Sequence, residues 1–182
     1  MGIIAENSRV PKPANVRTRR AYFDCRYGQL HVRTAFPATG GFDEKVTLIC
    51  LHAAAASSRQ FSRFLPLAAT QRSVYAPDLP GCGESDAPAA GGADAAAAVL
   101  DLALDLRLRQ VDLLGFREGC KVAIELALAR PEIVRRLVLI GGAPMERRPA
   151  QAAIIDAAEY TDDPFNAAPQ ALFERVDSIL IR

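Results

Sequence analysis

Histidine is scarce in this chain: 182 residues hold two, His31 and His52, and none follows position 52. The four cysteines, Cys25, Cys50, Cys82 and Cys120, are widely separated and form no C-x-x-C pair. A zinc site therefore lacks a ligand set, and a disulfide framework lacks a pattern. The cysteines read as reduced thiols of a cytoplasmic protein. An excess of charge is missing too. Lys and Arg number 22 against 21 Asp and Glu, a net +1, which gives no general pull toward nucleic acid or an anionic membrane. The short basic stretch Arg17, Arg19, Arg20 reads as a solvated edge. No apolar run approaches the roughly 20 residues of a membrane span. The N-terminus, MGIIAENSRVPKP, lacks the apolar centre of a signal peptide, and Glu6 stands where myristoylation requires Ser or Thr. No internal repeat is visible.

What is present is the balance of an ordinary globular domain, with 50% hydrophobic and 24% charged residues. Residues 1–18, with Pro11 and Pro13, read as a loose tail. AYFDC (21–25) and QLHVRTAF (29–36) read as a hairpin. The second run alternates, placing Leu30 and Val32 inward and His31 on a solvated face. VTLICL (46–51) is apolar but for Thr47, which suits a strand covered on both faces. A helix to about Ala69 follows, with Ser58 as its N-cap and Phe61, Phe64, Leu65 and Ala68 on one stripe. SVYAP (73–77) predicts a strand, and the later part of the alanine-rich segment a helix with Val99, Leu102 and Leu106 inward. VDLLG, CKVAIELALARP and RLVLIGG then predict strand, helix and buried strand, with Pro131 ending the helix. Strands alternating with helices imply a mostly parallel sheet with helices on both faces.

Three stretches carry the chemistry. LICLHAAAASSRQF puts His52 just after a buried strand, VYAPDLPGCGESD puts an Asp and two glycines after the next, and LLGFREGCKVA puts a G-x-x-x-G turn after a third. In this order they resemble the α/β-hydrolase family over roughly residues 21–145. The resemblance implies a core over 19–145 and a partial helical cap over 146–182, with the fold apparently truncated after its sixth strand. It also assigns positions. His52 and Ala53 match a His-Gly pair, with Ala54 N–H as one oxyanion donor. Asp78, Gly81, Gly83 and Ser85 match a loop-shaping D-x-x-G-x-G-x-S. Gly115, Arg117 and Gly119 match G-x-S-x-G, with Glu118 N–H as the second donor. Arg117, Glu118, His52 and Ala54 are thus the candidate binding residues, and no residue is assigned a catalytic role. No metal or cofactor is implied.

The departures concern the chemistry. A guanidinium at 117 can neither lose a proton in practice nor attack a carbonyl. The family's acid and base follow the nucleophile in chain order, whereas here no histidine follows Arg117, and Asp162, Asp163 and Asp177 fall in the cap-like segment. Cys120 at the helix start reads as a buried thiol and Ser58 as a cap, while Cys82 has no base partner. His52 reads as a neutral ring orienting its loop. GFREGCK fails as a phosphate-binding loop because only three residues separate its glycines and Cys120 precedes the lysine; GCGESD lacks the third glycine of a dinucleotide loop.

Two functional readings follow. One is a member of a hydrolase family, whose relatives cleave ester, amide or C–C bonds, impaired or inactive for want of a Ser-His-Asp triad. The other is a non-catalytic module on the same scaffold that binds a small acidic or ester-like ligand or a protein. Arg117 is either drift at a site freed from chemistry or an anion clamp over a helix start. The expected geometry is a positive φ at Arg117. The strand at 136–142, and the apolar stripe Leu172, Phe173, Val176, Ile179 and Leu180, also predict self-association through an exposed sheet edge.

Overall fold

The computed structural model describes residues 15–40, 45–89 and 91–141. Six strands form one sheet in the order β1-β2-β4-β3-β5-β6. They are β1 (Val16–Cys25), β2 (Gly28–Pro37), β3 (Thr47–Leu51), β4 (Val74–Pro77), β5 (Val111–Phe116) and β6 (Val134–Ile140). β1 and β2 form an antiparallel hairpin and β2 runs antiparallel to β4, whereas β3–β4, β3–β5 and β5–β6 are parallel. The expected architecture, a mostly parallel sheet with an antiparallel start, is the one observed. The cap-like segment 146–182, its apolar stripe included, lies outside the described residues. Among the described residues no helix is long and apolar enough to cross a membrane.

Alternation along the central strands sorts the core into two layers. Leu48 and Cys50 of β3 and Leu114 and Phe116 of β5 pack with Phe61, Phe64, Leu65 and Ala68 on one face. Ile49 and Leu51, with Val111 and Leu113, pack on the other against Val99 and Ala103 of α2 (Ala95–Asp105) and Val122, Ala123 and Leu126 of α3 (Gly119–Ala129). Because both faces are covered, every residue of β3 is buried, and Thr47 at its start is its one polar residue. At the start of β5, buried Asp112 accepts from Arg72 (3.0 Å) and from Arg135 of β6 (2.9 and 2.7 Å). That ion-paired cluster ties the far end of the sheet, away from the glycine turn.

Three expectations about element bounds and caps differ from the structure. β1 begins at Val16, inside the segment read as tail, because its backbone pairs in register with Phe36 and Pro37. The helix expected from Ser58 to Ala69 is two pieces, a 3-10 turn at Ser58–Phe61 and α1 at Phe64–Ala68. Pro66 has no N–H to donate back toward Ser62, so the chain restarts its helix with the proline inside the new first turn. The capping side chain is that of Ser57, which accepts from Arg59 N–H, while Ser58 is fully buried and gives its own N–H to Asp78.

Candidate functional site

The geometry of the site begins with register. β3 and β5 are adjacent and parallel, with Leu51 opposite Gly115, so the chain leaves both strands side by side at the same end of the sheet. Beyond β3, His52 is fully buried and both ring nitrogens are engaged. Nε2 accepts from Leu79 N–H (2.9 Å), and Nδ1 lies 2.7 Å from Ala53 O. This requires the neutral ring with its proton on Nδ1, and burial lowers the His52 pKa in keeping with it. Ala53 N–H is held by Gln60 Oε1 at 3.1 Å. The next residues turn sharply, and Ala55 has φ 55°.

Beyond β5 the chain reverses into α3 within three residues. Arg117 sits at the apex with φ 51°, the expected left-handed conformation. Its N–H donates to Ile140 O at 2.8 Å, and its carbonyl accepts the first helical bond from Cys120 N–H at 2.9 Å. The flanking glycines have a steric cause. A Cβ on Gly119 would lie 2.2 Å from Leu51 O, and one on Gly115 would lie 2.6 Å from Cys120 Cα. Both contacts are with backbone, so neither can relax by moving a side chain.

The turn and the loop meet in one hydrogen bond: Ala54 N–H donates to Glu118 Oε2 at 2.9 Å. That bond, followed by one from the Glu118 N–H and by the Arg117 charge, holds the Glu118 carboxyl below its ordinary range. Of the four candidate binding residues, Ala54 and Glu118 are therefore in direct contact. Arg117 stands beside them, exposed, with no ion pair given to its guanidinium by any described residue. His52 lies behind the loop, with no ring atom offered to a ligand. Cys120, also buried, points its thiol at Gly115 O (3.2 Å), and burial pushes its pKa up. It is no thiolate nucleophile.

The second polar centre was only partly legible. Asp78 is 2% exposed and accepts from Ser58 N–H (2.6 Å), Glu84 N–H (2.9 Å) and the His31 ring (2.9 Å). Burial pushes its pKa up, but donors on Ser58, Glu84 and His31 outweigh it and the net shift is downward. His31, expected on a solvated face, is 1% exposed. The reason is that the loop after β4 folds back over β2: Ser85 Oγ accepts from His31 N–H, and Asp86 takes and gives bonds at Gln29. Alternation along β2 marked two faces correctly but could not show that the second was also covered. Gly83 packs so tightly here that a Cβ would lie 2.1 Å from Asp78 Oδ2.

A family model described as alpha/beta hydrolase fold matches residues 46–180. Among curated proteins, a 2-hydroxymuconate semialdehyde hydrolase of Pseudomonas sp. (strain CF600) is 42% identical over 85 residues, covering 43% of this chain and 29% of that protein. The uncharacterized hydrolase YugF of Bacillus subtilis (strain 168) is 28% identical over 97 residues, covering 52% of this chain and 36% of that protein. The chain thus spans about a third of the curated relatives it matches. Of solved structures, a hypothetical protein from Pseudomonas aeruginosa PAO1 superposes with TM-score 0.61 at 29% identity, over 72% of this chain and 46% of that one. The 2-hydroxy-6-oxo-6-phenylhexa-2,4-dienoate hydrolase of Rhodococcus sp. strain RHA1 gives 0.63 at 24%, over 74% and 50%.

Proposed function

This chain belongs to the alpha/beta hydrolase fold family, and we propose that it keeps the family's scaffold without its serine-based acyl transfer. The observation that carries this reading is Arg117 at the apex of the strand-to-helix turn, with φ 51° and glycines pressed against backbone on either side. These features support reading the turn as a nucleophile elbow, with a side chain that has no nucleophilic atom. Neither histidine of the sequence is placed to serve as a general base for that position. The ring of His52 is buried and bonded through both nitrogens, and that of His31 is buried against Asp78. Within these 182 residues a serine restored at 117 would find no imidazole to take its proton.

The test is turnover of p-nitrophenyl acetate by the full chain and by Arg117→Ser. Both are expected at the buffer rate, since nucleophile and base act as a unit. Saturable hydrolysis by the unaltered chain, or a burst of acyl-enzyme in Arg117→Ser, would overturn the reading.

A second reading, binding of a small carboxylate or other anion, is favoured by an exposed arginine, Arg117, on the same turn as the Glu118 N–H. The relative from Pseudomonas, named for a muconate semialdehyde and hence a carboxylate, supports the same ligand class. Both readings can hold together: a scaffold that has lost acyl transfer keeps its oxyanion donors.

A further inference from the structure

The bond between Ala54 N–H and Glu118 Oε2 spans 64 positions of sequence and joins two turns that each contain a left-handed residue, Ala55 and Arg117. In the alpha/beta hydrolase fold the two oxyanion donors are a backbone N–H in the loop after the strand equivalent to β3 and the N–H of the residue after the elbow apex. Here those donors are Ala54 and Glu118. The first is directed at the Glu118 carboxylate at 2.9 Å, and the second belongs to the same residue and helps lower that carboxyl's pKa. A charged, planar group with two acceptor oxygens is what such a pair of donors selects. The chain supplies one itself.

We propose that Glu118 is a built-in occupant of the oxyanion position, an autoinhibitory contact that an incoming oxyanion must displace. The inference rests on reading the turn at Arg117 as the family's elbow. Three features make the contact releasable rather than structural. Glu118 and Ala54 are both exposed, so the carboxylate exchanges its N–H partner for water when it swings away. The contact is made by a side chain, so release needs rotations about side-chain bonds and no change in either strand. Arg117, exposed and without an ion pair to a described residue, leaves a positive charge on the same turn. Asp78 shows the opposite case: a carboxylate that also binds loop N–H groups, but buried on every side and bound by a histidine as well.

The experiment compares amide spectra of the full chain with those of Glu118→Ala and Glu118→Gln. Each is titrated with sodium acetate against a sodium chloride control at equal ionic strength. Losing a charge-assisted hydrogen bond should speed Ala54 amide exchange about tenfold in Glu118→Ala. Acetate should shift the amide signals of Ala54 and position 118 saturably in that variant, about tenfold more weakly in the unaltered chain, and chloride should not. Glu118→Gln, which keeps a neutral acceptor, should fall between the two and serves as the readout if Glu118→Ala does not fold. An unprotected Ala54 amide in the unaltered chain would overturn the proposal. So would acetate shifts equal in all three proteins, or absent from both variants. Ester turnover by the unaltered chain would overturn the loss of acyl transfer while leaving these amide readouts untouched, so the two ideas fail separately.

Discussion

The protein uses two carboxylates to hold loops at the same end of its sheet, and they differ in almost everything but chemistry. Asp78 is buried and collects two backbone N–H groups and an imidazole from three parts of the chain. Glu118 is exposed and takes the N–H of Ala54 from across the site. A buried acceptor that loses its side chain leaves donors with no partner and no water, whereas an exposed one hands its donors to solvent. The same group is thus a fixed tie in one place and a movable one in the other. Burial decides which.

The largest expected effect comes from the steric frame that both centres share. Gly119→Ala places a Cβ 2.2 Å from Leu51 O, where neither strand nor helix can give way. The variant should lose about 4 kcal/mol in urea unfolding, or fail to accumulate as folded protein. A loss below about 1 kcal/mol would mean that α3 can shift away from β3.

Removing each carboxylate tests the comparison directly. Asp78→Ala should cost about 3 kcal/mol, because the Ser58 and Glu84 N–H groups and the His31 ring lose a buried acceptor. Glu118→Ala should cost less than about 1 kcal/mol, as water replaces the lost oxygen. Equal losses in denaturant midpoints would break the distinction between fixed and movable ties.

Acid titration sharpens it further, because two buried groups act in separate windows. His52 has its pKa lowered by burial, so the unfolded chain takes up its proton first. Its contribution is complete at neutral pH and is lost as pH falls below about 6.5 toward the folded value. Asp78 has its pKa lowered by its donors, against burial. Its contribution is complete above the ordinary aspartate value and is lost as pH falls from about 4 through the folded value. A plot of melting temperature against pH should show both steps, with His52→Gln removing the first and Asp78→Asn the second. A single step that neither variant alters would contradict the assignment.

The smallest expected effect is at the apex. Arg117→Gly relieves a left-handed φ on a residue with a Cβ but adds freedom to the unfolded chain, for a net gain of about 0.5 kcal/mol. Stability falling by more than about 1 kcal/mol instead would show that the arginine side chain makes a contact worth more than the strain.

Much of the fold was legible because it rests on local patterns. The largely apolar runs at 46–51 and 111–114, broken only by Thr47 and Asp112, read as strands covered on both faces, and Gly115 and Gly119 announced a turn with no room for Cβ atoms. The positive φ of Arg117 followed from those glycines alone. The break near Pro66 was also written in the sequence, although the apolar stripe Phe61, Phe64, Leu65 and Ala68 masked it by continuing across the break.

What the sequence could not settle depended on which segments meet. His31 sits in an alternating strand, and alternation says that two faces differ, not that both are covered; the loop carrying Ser85 and Asp86 decided that. Ser58 has the residue type of a cap, yet Asp78, 20 positions away, claims its N–H. Glu118 enters the sequence reading through its backbone N–H, and the structure turns its carboxylate to Ala54 because β3 and β5 pair with Leu51 beside Gly115. Periodicity and glycine spacing are properties of a few neighbouring residues, so the chain determines them by itself. Hydrogen-bond partners of a long polar side chain are chosen among groups brought close by the sheet, and only the tertiary structure makes that choice.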